Sequence, residues 1–177
     1  MMDITLNLKE IDKFLAAVTR YEKEVYAQVA RLPKVHSMDY YSLINRNIIS
    51  NRYASTFPKL SNDYAMWKAK VSSSNIYWKL FGDLQKGISI RNRRGNAISV
   101  GIREGAQTES RIMPAMYGSG SRILKAKSIE MIGRVLEYGL GFVPSRPLWK
   151  LTREEYWKTG YPRRVQVSWV RMKQSWY

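Results

Sequence analysis

The sequence predicts an α+β fold: a long N-terminal helix and further helices packed on a small antiparallel β-sheet, with a long loop and an extended C-terminal arm. Three observations predict it. Apolar residues recur at three- and four-residue intervals from Leu8 to Leu32, the period of a helix face. Apolar and polar residues alternate on both sides of a basic turn between Ile88 and Ile102, the period of a hairpin. A further helical pattern from Ile129 then passes through glycine and proline punctuation into a last helix. With 177 residues, 45% of them hydrophobic, the chain can bury one core. Residues 1–162 are expected to form a single α+β domain and residues 163–177 the arm.

Leu8, Ile11, Phe14, Leu15, Val18, Tyr21, Val25 and Val29 share one face of the first helix, which Pro33 is expected to end. Leu43, Ile44, Ile48 and Ile49 mark a second helix within residues 38–51, with Asp39 placed to cap it. Residues 53–61 connect, and residues 62–71 show no clear period. Ser72-Ser73-Ser74 before Ile76, Trp78, Leu80, Phe81 and Leu84 signals another helix start, with Gly87 as its end. Ile88-Ser89-Ile90 and the run from Ala97 to Ile102 pair around Asn92-Arg93-Arg94-Gly95-Asn96. Residues 103–127 are rich in glycine and serine and lack periodicity, so a long surface loop that orders against a partner is expected. Ile129, Ile132, Val135 and Leu136 form a helix that breaks at Gly139-Leu140-Gly141. Ser145-Arg146-Pro147 opens the last helix, because proline is accepted in a first turn. That helix should run to about Thr159 and stop at Gly160-Tyr161-Pro162; beyond it Val165, Val167 and Trp169 alternate as in a strand or extended arm.

Thirty Lys and Arg against fourteen Asp and Glu give a net charge of +16, which calls for an anionic partner: nucleic acid, an acidic protein surface or anionic lipid. The candidate basic contacts are Arg91, Arg93 and Arg94 at the hairpin turn, Lys125 and Lys127 beside the loop, and Arg163 and Arg164 in the arm. In that arm Arg171 and Lys173 interleave with Trp169, Trp176 and Tyr177, a composition suited to a nucleic-acid strand and equally to an acidic protein interface. The absence of cysteine excludes a disulfide framework and thiolate-bound zinc, and suits a reducing cytoplasm. No basic segment followed by an apolar run opens the chain, and no run approaches the roughly twenty apolar residues of a membrane span, so neither secretion nor a membrane partner is expected.

Catalytic candidates are scarce. His36 is the only histidine and falls in an expected connection without a partner motif, so a surface or packing role is expected. The carboxylate pairs Glu22/Glu24 and Glu154/Glu155 lie on helical faces and read as solvated. Gly95, Gly101 and Gly105 do not form a phosphate-cradling pattern. No cofactor is indicated, and an enzyme is not expected. A nuclease would need a carboxylate metal cluster that the spacing does not offer.

The most specific stretch is Val135-Leu136-Glu137-Tyr138-Gly139, followed by Val143-Pro144-Ser145-Arg146-Pro147-Leu148-Trp149-Lys150-Leu151-Thr152 and Glu154-Glu155. It resembles the C-terminal signature of tailed-bacteriophage virion-morphogenesis and tail-completion proteins. In that family an aliphatic–acidic–aromatic–Gly segment precedes a Pro-x-Arg-Pro-aromatic step into the final helix. The resemblance is strong over residues 129–158 and looser, as an order of elements, over most of the chain. The sequence departs from it at Leu148, where an aromatic residue is usual, and in the tail beyond Pro162. The resemblance implies a structural protein of the head–tail connection, assembled in the host cytoplasm and located in the neck or tail region of the virion. It implies a ring of about six or twelve copies, joined to connector and tail proteins, with DNA in the lumen as a further contact. A tail terminator capping the tube shares the signature, and a stand-alone basic nucleic-acid-binding protein is the rival outside the family. Glu137, Tyr138, Gly139, Pro144, Arg146 and Pro147 are the motif residues. Physically, Glu137 can accept hydrogen bonds from the following loop or pair with Arg146, while Gly139 and Pro147 fix the turn.

Overall fold

Pro33, expected to end the first helix, lies inside it. In the computed structural model, which describes residues 8–72, 82–92, 97–141 and 143–174 with side chains to residue 167, helix α1 runs unbroken from Leu8 to Ile49, about 63 Å. An interior proline removes one hydrogen bond and crowds the preceding turn, at a cost of about 3 kcal/mol. Burial of the second half offsets it: Ser37, Ile44, Asn47 and Ile48 are all buried, whereas every residue from Leu8 to Arg20 is exposed. The two expected helices are therefore one. Asp39, expected as a cap, sits mid-helix and instead takes both nitrogens of the Arg164 fork, Nε and Nη2, at 2.6 Å each.

Strands β1 (Ile88–Asn92) and β2 (Ile98–Ile102) form the expected hairpin, with Ile88 opposite Ile102 and Ile90 opposite Val100. Its turn, with Arg93 and Arg94, lies outside the described residues. Residues 62–71, which carried no clear period, are helical in α2 (Asn62–Ser72). Ser72 ends that helix rather than starting the next; the expected start over Ser73 and Ser74 lies outside the described residues. The short α3 (Asp83–Gly87) ends at Gly87 as expected.

The 103–127 segment is more ordered than the sequence suggested. It contains a second antiparallel pair, β3 (Arg111–Pro114) and β4 (Ser121–Leu124), with Ile112 opposite Ile123. Four-residue strands are too short for alternation to stand out, and a proline inside one argues against a strand. Pro114 is accommodated because it is the last residue of an edge strand, and its carbonyl accepts a bond from Trp67 Nε1 at 2.9 Å.

Helix α4 (Ile129–Tyr138) is capped by Ser128, whose Oγ accepts the Met131 N–H. Helix α5 (Leu148–Glu155) follows, then a π-helical turn (Tyr156–Gly160) and α6 (Tyr161–Gln174) without interruption. Gly160-Tyr161-Pro162 thus fails to stop the helix. The wider turn shifts the bonding by one residue, with the Tyr161 N–H donating to the Tyr156 carbonyl just before Pro162. Gly160 makes this turn fit, since a Cβ there would stand 2.6 Å from Cδ2 of the Tyr156 ring. The C-terminal arm is accordingly helical over its described length, not a strand, and its start is clasped to α1 by the Arg164–Asp39 pair. The core gathers Ile44 and Ile48 of α1, Phe57, Leu84, Ile88, Ala106, Ile129 and Leu148 where α1 meets the first hairpin, α4 and α5. No helix among the described residues is long and apolar enough to cross a membrane.

Candidate assembly surface

The motif residues meet in one joint between α4 and α5. Proline at position 147 is the N-cap of α5 and has no side-chain group to offer the helix. Glu137, one helix earlier, supplies what it lacks: Oε2 accepts the Trp149 N–H at 3.0 Å and Oε1 the Lys150 N–H at 2.9 Å. These are orphan donors of the first turn, and a carboxylate also suits the positive end of the helix. Glu137 was expected to accept from the loop or to pair with Arg146; the donors observed lie one step further on, in the first turn of α5. Burial pushes the Glu137 carboxyl above its ordinary pKa, outweighing the lowering by those two N–H groups.

Gly139 ends α4 with φ +77°, and a Cβ there would lie 2.9 Å from Ser145 N and 3.0 Å from the Val143 carbonyl oxygen. Leu140 and Val143 exchange backbone bonds across the turn, Ser145 Oγ donates to the Glu137 carbonyl at 2.6 Å, and Arg146 N–H donates to the Leu136 carbonyl at 2.6 Å. Arg146 is buried, with its guanidinium reaching the carbonyls of Pro144 and Pro58. Tyr138 points the other way and is 79% exposed. Five of the six motif residues therefore build or line the joint, and Tyr138 faces outward.

A groove of about 1010 Å³ opens beside the joint, between the start of α2, the outer face of α4 and residues 143–146. Met131 and Val135, one turn apart on α4, form one apolar wall, with Leu60 and Tyr64 opposite. Lys59, Lys127 and Arg146 supply its charge. Below it, on α2, Lys68 is buried and its amine is pushed down to about 8, first by burial and then by the charge of Arg146. Sequence reasoning missed Lys68, because residues 62–71 carried no period that would place a lysine indoors.

The described basic candidates do not form one cluster. Arg91 pairs with Glu104 at 3.5 Å and bonds the Ile102 carbonyl, bracing the first hairpin. Arg164 is committed to Asp39. Lys125, Lys127 and Arg163 are exposed, and of the five described candidates only Lys127 lines the groove. Arg93 and Arg94 lie outside the described residues, as do the side chains of Trp169, Arg171, Lys173, Trp176 and Tyr177.

His36 lies within α1 rather than in a connection. Its Nδ1 stands 2.6 Å from the Tyr156 hydroxyl, and its ring stacks on Tyr161 with centroids 4.8 Å apart. Burial lowers its pKa, opposed by the Asp39 carboxylate and reinforced by Arg164. Glu155, read as solvated, instead accepts from Tyr53 Oη and Asn47 Nδ2, and Asn47 also reaches Thr152 Oγ1 at 3.1 Å. These contacts pin α5 and the π turn onto α1 through polar groups. Among the described residues no three His, Asp or Glu side chains are grouped so as to hold a metal ion.

No protein-family model, curated protein or solved structure matches this chain.

Proposed function

We propose that this chain is a structural virion protein of the head–tail connection, a neck or tail-completion subunit that assembles into a ring joining the connector to the tail. The observation that carries this reading is the joint built by Glu137, Gly139, Pro144, Arg146 and Pro147, because the residues that resemble the family signature are the ones that fix α5 against α4. A motif need not act chemically; here its chemistry is the setting of an angle between two helices.

Two further features support assembly. The first half of α1 exposes an apolar face that no described residue covers, with Leu8 74% and Phe14 68% exposed. Exposed apolar faces of this kind are interaction surfaces. The second hairpin exposes the facing pair Ile112 and Ile123 on a sheet of two strands. Different patches on one subunit are what a head-to-tail ring requires. The positive charge faces either lumenal DNA or acidic neighbours, and the tail terminator is the variant of this reading in which the ring caps the tube.

Antibody labelling of tailed particles carrying the chain tests the proposal. Gold at the head–tail junction is the expected result. Label absent from particles, or confined to the interior with the genome, overturns it in favour of a nucleic-acid-binding protein.

A further inference from the structure

The exposed end of α1 has a defined amphipathic layout. At 3.6 residues per turn, Leu8, Ile11, Phe14, Leu15 and Val18 form one stripe, and Glu10 and Asp12 lie about 100° to either side of its centre. Lys9 and Lys13 fall near the opposite side. The stripe is therefore edged by carboxylates, and the lysines are turned away from whatever it meets. Among the described residues nothing buries this stripe: Leu8 lies about 44 Å along a continuous helix from Ser37, the first buried residue.

The groove beside the joint is the complement of that layout. Its walls are apolar, with Met131 60% exposed, and Lys59, Lys127 and Arg146 line it together with no acidic residue among its described lining. Its long wall, α4, spans ten residues, about 15 Å, the same length as Leu8 to Val18. An apolar stripe flanked by two carboxylates fits an apolar trough flanked by lysines, which gives both burial and a fixed orientation.

We infer that the first turns of α1 from one subunit dock in the α2–α4 groove of the next, with Ile11 and Leu15 against Met131 and Val135, and Glu10 and Asp12 toward Lys59 and Lys127. The inference rests on the ring reading and names its subunit contact. The contact is heterologous, so each subunit gives a helix on one side and a groove on the other. It also gives the joint a purpose, since Val143, Pro144 and Arg146, held against the end of α4 by the joint, form one side of the groove.

The chain has no cysteine, which makes disulfide trapping clean. Leu15→Cys with Met131→Cys in one chain, oxidised in the assembled state, should give a ladder of covalent multimers, while each single variant stays uncrosslinked. Crosslinking by Leu15→Cys alone would mean that α1 pairs with α1, and overturns the inference. An oligomeric mass with no ladder overturns the groove contact and leaves the ring standing. A chain that is monomeric throughout overturns both. A ladder that closes at two subunits keeps the contact and overturns the ring. As a second readout, Lys59→Glu with Lys127→Glu should weaken association at least tenfold, and adding Glu10→Lys with Asp12→Lys should restore it. Unchanged association in the first variant contradicts the proposed orientation.

Discussion

Glu137 Oε2 accepts the Trp149 backbone N–H at 3.0 Å, so a side chain at the end of α4 caps the start of α5. The cap is remote because the local one is missing: Pro147 has no donor or acceptor in its side chain. Glu137→Ala removes both accepted bonds and should lower stability by about 1–3 kcal/mol in urea unfolding. Glu137→Gln keeps one acceptor oxygen and should lose less. Equal stability of all three proteins would mean that the cap contributes nothing.

Gly139→Ala should cost more than about 1 kcal/mol, because the position combines φ +77° with a Cβ that would stand 2.9 Å from Ser145 N. The nearby Gly141, also at positive φ, has open space around its Cα, so Gly141→Ala carries only the backbone penalty. A ranking with Gly141→Ala as the more damaging change would contradict this picture of the turn.

Helices and the first hairpin were legible in the sequence where apolar periodicity was long, as from Leu8 to Leu32 and at Ile88 to Ile102. Stop signals were less informative. Pro33 and Pro162 are both inside continuous helical paths, because burial on one side of Pro33 and a widened turn before Pro162 absorb what proline removes. Local rules cannot anticipate such tertiary compensation. Glu137 was expected to accept hydrogen bonds from the following loop or to pair with Arg146; it accepts two N–H groups of the first turn of α5. Its partners, Trp149 and Lys150, were not foreseen, and neither were Lys68, Tyr156 or Asn47, whose roles arise from contacts far along the chain.

His36 makes the α1–α6 clasp sensitive to acid. Its pKa is lowered in the fold chiefly by burial, so as pH falls below the ordinary value of 6.5 the unfolded chain takes up a proton first and stability is lost until the folded value is passed. Arg164, held nearby by Asp39, adds to the penalty of a second positive charge. The thermal midpoint should therefore fall more between pH 7.5 and 5.5 in the native protein than in His36→Gln. Parallel pH profiles would rule this out.

Lys68 predicts the opposite trend at alkaline pH. With its folded pKa near 8 against an ordinary 10.5, the unfolded chain holds a proton that the native state has released, so stability rises as pH increases from about 8 toward 10. The window closes there, where tyrosines of the unfolded chain begin to ionise while Tyr53 and Tyr156, pushed up to about 12, stay protonated in the fold. Lys68→Met fills similar space without a titrating group and should flatten the alkaline rise. An unchanged alkaline profile in the variant would contradict the assignment of the rise to Lys68.

The mass of the purified protein in solution, by light scattering at low and high salt with and without DNA, tests the central claim most directly. The account predicts a closed multimer of the 20.7 kDa chain that forms with or without DNA. A monomer at every concentration, or one that forms a discrete DNA complex lost at high salt, would contradict it.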